Sequence, residues 1–175
     1  MSRPISPTEM SRTYIQALES TDGVAVHLDE SLRKETLTRI YALFSTMTAE
    51  KVHALASSIY APGAYLNDSL KVVVGAEPIE AYLADSVAAA RQIHFDFADV
   101  AVSIETPDYY LRWQMTLETR GINHGIPIRV PGVSHFRFDA RGRVLVQRDF
   151  WNTGSAFYER LPVLGWVIRW VRSRL

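Results

Sequence analysis

The feature that most limits how this chain can fold is the order in which its patterns change. Helix-period segments come first; between residues 94 and 152 only strand-length runs occur, parted by turn chemistry. The runs are residues 94–105, 109–120, 126–138 and 143–152. The breaks are Thr106-Pro107-Asp108, Gly121-Ile122-Asn123-His124-Gly125 and Asp139-Ala140-Arg141-Gly142, each rich in residues that favour turns. Hairpin-linked strands after a block of helices predict an α+β fold, not a doubly wound one. A curved antiparallel sheet wrapped around a helix would enclose a cavity. Pro131-Gly132 inside the third run predicts a bulge or bend, because proline cannot donate to the ladder.

The helical half divides at its caps. Ser6, Pro7 and Glu9 mark a helix start, and Thr21-Asp22-Gly23 ends that helix. From Ser31 the apolar residues Leu32, Leu37, Ile40, Tyr41, Phe44 and Met47 recur at a spacing of three and four. Thr48 then caps a second helix carrying Val52, Leu55 and Ala56. Residues 59–68 read as a strand broken near its start by Pro62-Gly63, and residues 71–74 as a short extended piece. Gly75 precedes a helix running to about Arg91, with Ile79, Tyr82, Leu83 and Val87 on one side.

Composition narrows the function classes. The chain has 175 residues, 47% of them hydrophobic, which is enough for one real core. Its formal net charge is zero, which gives no reason to expect nucleic acid as partner. With no cysteine, thiol nucleophiles and Cys-ligated metals are excluded. No phosphate-cradling glycine loop is present, so no cofactor is implied. His94 and Asp96 with His135 make too few convergent ligands for a metal centre. The first residues lack a signal-like apolar run and no stretch reaches membrane-spanning length, so the expected location is cytoplasmic. Residues 161–175 read as an amphipathic helix bearing Arg169, Arg172 and Arg174. That helix is expected to close an open end of the sheet or to join subunits; the other reading lays it on a membrane surface.

The order of elements, together with three stretches, resembles the nuclear transport factor 2 superfamily, in its branch of SnoaL-like cyclases and ketosteroid isomerases. The stretches are IYAPGAYLNDS, GAEPIEAYLADSV and VPGVSHFRFDARGRVLVQRDFW. The resemblance spans about residues 31–152, leaving 1–30 as an N-terminal extension and 153–175 as the C-terminal helix. It implies a cone: helices packed into a strongly bent antiparallel sheet, an apolar pocket for a small hydrophobic molecule, and a homodimer through the sheet's outer face.

The resemblance also implies roles. The isomerases' base, a carboxylate closing the first strand, corresponds to Asp68. Their oxyanion-hole tyrosine and acid correspond to Phe44 and Ser134, and a phenyl ring donates nothing, so steroid isomerisation is not expected. In the last hairpin Gln147, Asp149 and Trp151 would face the cavity, with Arg148 and Phe150 outward. The candidate catalytic pair is therefore Asp68 and Asp149. The alternatives are a turn-capping role for Asp68 and an ion pair from Asp149 to Arg112 or Arg148. Candidate ligand contacts are Tyr60, Tyr82, Trp113, Met115, Ser134, Phe136, Gln147 and Trp151, each of which is also a plausible core residue. Two functions follow: proton-transfer chemistry of isomerase, cyclase or dehydratase type, or a non-catalytic module that binds an apolar ligand or a protein.

Overall fold

The structure is a computed structural model, and it describes residues 6–119 and 126–152. Helix α1 (Pro7–Thr21) starts at Ser6, whose side chain accepts from the Glu9 amide at 3.2 Å. Helix α2 (Glu30–Phe44) is capped by Asp29 and starts one residue before the Ser31 expected from periodicity. Helix α3 (Ala49–Ile59) is capped by Thr48. Then follow β1 (Tyr60–Asn67), β2 (Val72–Val74), α4 (Ala76–Ala89), β3 (Ala90–Val102), β4 (Asp108–Thr119), β5 (Ile128–Phe138) and β6 (Val144–Trp151). Gly75 precedes α4 with φ of 99°, a conformation that L side chains rarely adopt.

One six-stranded sheet runs in the order β2-β1-β6-β5-β4-β3. It is mixed: β1 lies parallel to β6, and every other pair is antiparallel. The α+β fold with its antiparallel sheet is as expected from the hairpins, and one parallel pair is added to it. Hairpin periodicity reports on neighbours in sequence and carries nothing about β1, which reaches β6 from across the fold. The β1–β6 register shifts between Tyr60 and Tyr65, across Pro62-Gly63.

Two more expectations change. The third strand begins at Ala90, not at 94, and α4 stops at Ala89. The alanine run Ala88-Ala89-Ala90 suits either state, and pairing of Ala90 with Thr119 decides it. No bulge forms at Pro131-Gly132: β4 and β5 pair without interruption from Asp108 with Arg137 to Leu117 with Ile128. Gly132 serves close approach instead. A Cβ there would overlap the indole of Trp113, its cross-strand partner.

The sheet's inner face carries Leu111, Trp113, Met115, Val130, Phe136 and Phe138, and it closes over Ile40, Leu43, Val52, Ala56, Ile79 and Leu83 of the helices. Each of the Val, Leu, Ile, Met and Phe side chains among them contributes roughly 1.5–3 kcal/mol on burial. Helix α1 covers part of the opposite, outer face, where Ala17 and Leu18 meet Tyr65 and Val146. Among the described residues no helix is long and apolar enough to cross a membrane. The helix expected at 161–175, with its candidate membrane or subunit contact, lies outside the described residues.

Candidate functional site

Alternation along β6 decides what the cavity sees. Gln147, Asp149 and Trp151 point inward, while Arg148 reaches Asn67 on the outer side and Phe150 lies against the Tyr14 ring at 6.1 Å. The inward residues border a cavity of about 390 Å³, roughly the size of a small organic ligand's site. Its walls are apolar: Phe44 and Met47 from α2 and the segment after it, Phe95 and Trp113 from the sheet, Met115 beyond them. Phe95 meets both Phe44 and Trp113 edge to face, at 5.7 and 5.1 Å.

Both candidate acids reach this cavity, as do Tyr82, Trp113, Met115, Gln147 and Trp151. Tyr60, Ser134 and Phe136 do not border it. Phe136 is core, and with Ser134 it touches only a neighbouring hollow of about 20 Å³. Tyr60 is buried behind Gln147. The reason is depth: residues pointing to the right side of a strand sit either at the wall or one layer behind it, and alternation alone does not separate the two.

Asp149 forms no ion pair with either arginine considered for it. Arg112 binds Asp99 instead, at 3.0 Å. Asp149 is held by neutral donors: the Ser134 hydroxyl at 2.6 Å and the Gln147 amide at 3.1 and 3.3 Å, both reaching Oδ1 and the amide also Oδ2. A second layer orients these donors. Trp113 Nε1 donates to Ser134 Oγ at 2.8 Å, and the Tyr60 hydroxyl donates to Gln147 Oε1 at 2.6 Å. Desolvation dominates at Asp149 and, with the nearby Asp68 charge, outweighs Ser134, Gln147 and Arg148, pushing its pKa up to about 6. Part of the residue's surface is open to the cavity, yet protein surrounds the carboxyl on its other sides. Burial and the Asp149 charge likewise push the Tyr60 phenol upward.

Asp68 is both a turn residue and a wall residue. Its Oδ1 accepts from the Leu70 and Lys71 amides at 2.9 and 2.8 Å, closing the turn between β1 and β2. Its Oδ2 accepts from the Tyr82 hydroxyl on α4, and its carbonyl accepts from Trp151 Nε1 at 2.6 Å. Burial first, then Asp68, raises the Tyr82 phenol. The Ser69 hydroxyl donates to the Asp149 carbonyl at 2.7 Å, tying this turn to β6. Sequence reasoning anticipated neither the Tyr82–Asp68 pair nor Leu70 and Ser86 in the wall. Turn and helix residues meet there only through tertiary packing.

At the positions corresponding to the isomerase oxyanion donors, Phe44 offers a ring edge and Ser134 spends its hydrogen on Asp149. Among the described residues no three His, Asp or Glu side chains converge on a metal-sized site. His94 pairs with Asp96 at 3.0 Å, and His135 belongs to a separate cluster on the outer face.

Family comparison agrees with this geometry. The model of the SnoaL-like domain matches residues 37–146, more than half of the chain. The chain belongs to the SnoaL-like domain family. Among curated proteins none matches. Solved structures share the fold. One is an NTF2-like protein of unknown function from Exiguobacterium, at 16% identity and TM-score 0.57, covering 67% of this chain and 98% of that one. Another, of ketosteroid isomerase-like fold from Catenulispora acidiphila and bound to trimethylamine, has 18% identity and TM-score 0.59, covering 70% and 88%. A candidate SnoaL-like polyketide cyclase from Shewanella denitrificans has 18% identity and TM-score 0.60, covering 75% and 97%. At these identities the likeness carries the fold of this SnoaL-like domain and not an activity.

Proposed function

We propose that this SnoaL-like domain binds a small, mostly apolar molecule in the cavity and that Asp149 moves a proton to or from it. The reaction would be of isomerase, cyclase or dehydratase type. The observation that supports this reading is a carboxyl on an apolar wall, unpaired with any cation, whose pKa of about 6 suits acid or base work near neutrality. Asp68, the base implied by the isomerase resemblance, is already engaged by two backbone amides and Tyr82. Its role in this reading is to hold the 68–71 turn and to orient Tyr82.

The test is solvent exchange. Small apolar compounds carrying a hydroxyl beside a carbonyl, incubated in D2O, should take up deuterium at the carbon next to the carbonyl, followed by NMR, at a rate rising with pH through about 6. Asp149→Asn should slow uptake by roughly 100-fold or more. Uptake that persists unchanged in the variant would sink the assignment. A second reading, binding without chemistry, is favoured by Phe44, which brings no hydroxyl to the cavity. It requires that ligands bind the wild-type protein while no exchange occurs with any of them.

A further inference from the structure

The polar hydrogens around the two carboxylates are turned into the protein's own network. Trp113 Nε1 gives its hydrogen to Ser134, and Ser134 gives its own to Asp149. The Tyr60 hydroxyl donates to Gln147 Oε1, which fixes the amide's orientation and turns its nitrogen onto Asp149. The Tyr82 hydroxyl goes to Asp68, Trp151 Nε1 to the Asp68 carbonyl, and Ser86 Oγ to the Tyr82 carbonyl at 2.8 Å. Thr119, the remaining hydroxyl of the wall, is at the far end of β4 from Trp113. Among the described residues, each hydroxyl and indole N–H next to the acids is therefore committed within the protein, and the Gln147 amide is turned onto Asp149.

What faces the ligand is a set of lone pairs: Asp149 Oδ2, Asp68 Oδ2 and the Tyr82 oxygen. Among the described residues no Lys, Arg or His lines the cavity. A carbonyl or ether entering here meets no hydrogen to accept, and a carboxylate or phosphate meets two acids with no counter-charge. A hydroxyl or ammonium meets acceptors already oriented. An ammonium also finds aromatic rings in the wall, Trp113 and Trp151 among them.

We propose that the cavity selects apolar molecules carrying an O–H or N–H donor, an alcohol or an amine, and turns away anions and acceptor-only groups. This deepens the function proposed above and rests on it only in taking the cavity as the ligand site. A site that hydrogen-bonds a ligand group discriminates strongly against analogues lacking it, because buried polar atoms are then left unpaired.

The experiment is calorimetric titration of the full chain at pH 8 with five naphthalene probes: 2-naphthylmethanol, 2-naphthylmethylamine, 2-ethylnaphthalene, 2-naphthyl methyl ether and 2-naphthoate. The alcohol and the amine should each bind about 10-fold or more tighter than the hydrocarbon. The ether and the naphthoate should bind no tighter than the hydrocarbon. An amine well ahead of the alcohol identifies an organic cation as the ligand type; parity identifies an alcohol. In Asp149→Asn, Ser134 and Gln147 keep the amide oxygen and its N–H₂ turns to the cavity, so the ether should overtake the alcohol. Should that variant not fold, the wild-type ranking decides alone. Equal binding of hydrocarbon and alcohol, or tightest binding of the naphthoate, overturns the donor rule while the cavity reading stands. Binding by none of the five overturns both.

Discussion

Two aspartates on the same sheet, both largely shielded from bulk water, behave in opposite ways. Asp149 faces the inner side and Asp108, at the start of β4, the outer side. Burial pushes both carboxyls upward. At Asp108 that push is overcome by Arg137, Thr106 and His135, and the pKa falls to about 2. Arg137 Nε donates to Asp108 at 2.5 Å and His135 Nε2 lies at 2.9 Å, while Tyr14 of α1 closes the chain at His135 Nδ1, 2.8 Å away. Arg137 continues to Asp22 and to the Leu18 carbonyl, at 2.7 and 2.9 Å, so the outer cluster fastens α1 to the sheet. Asp149 has only hydroxyl and amide donors, and its pKa ends near 6. The lesson is that burial does not by itself mark a functional acid. A cation in contact makes the carboxylate a structural anchor; neutral donors leave it able to exchange a proton.

Three changes would break or sharpen this contrast. The largest effect is expected from Arg137→Leu, which leaves Asp108 buried without its cation. Loss of one partner of such a pair costs roughly 3–5 kcal/mol, and urea unfolding at pH 7 measures it. The depressed Asp108 pKa means that the stability it contributes is present above about pH 4 and is lost as pH falls through about 2. The variant's deficit should shrink over that window. A loss below about 1 kcal/mol would show that the cation does not make the difference.

Asp149→Asn should act in the other direction. A raised native pKa contributes stability that is complete below about pH 4 and is lost as pH rises through about 6. The ionised carboxylate is thus a cost near neutrality. The variant should be more stable than wild type by roughly 2–3 kcal/mol at pH 8 and no more stable at pH 4, again by urea unfolding. A variant less stable than wild type at pH 8 would contradict the strained carboxyl.

The smallest effect belongs to the second layer. Tyr60→Phe removes the donor to Gln147 Oε1 and should cost about 1–2 kcal/mol. It also frees the amide to turn its oxygen toward Asp149, so the Asp149 carboxyl should titrate higher, as read by 13C NMR. An unmoved titration would place the control of Asp149 elsewhere.

Much of the architecture was legible because its signals are local. Ser6 and Thr48 announced their helices, the turn clusters parted the strands, and period-two alternation put Gln147, Asp149 and Trp151 on one face. Where the reading slipped, the deciding contact was distant. Ala90 is a strand residue because Thr119 pairs with it, and Gly132 is open because Trp113 needs the space. The outer cluster was missed because Asp108 read as the last residue of a turn; its partners stand on α1 and β5.

The amino-acid order by itself determined the element types, their succession and which side of each strand is apolar, since these follow from backbone stereochemistry and side-chain period. Tertiary structure alone decided the parallel pairing of β1 with β6, the layer in which each inward residue stops, and which aspartate meets a cation. Those depend on groups far apart in the chain, and the free energy of a charge depends on what surrounds it in space.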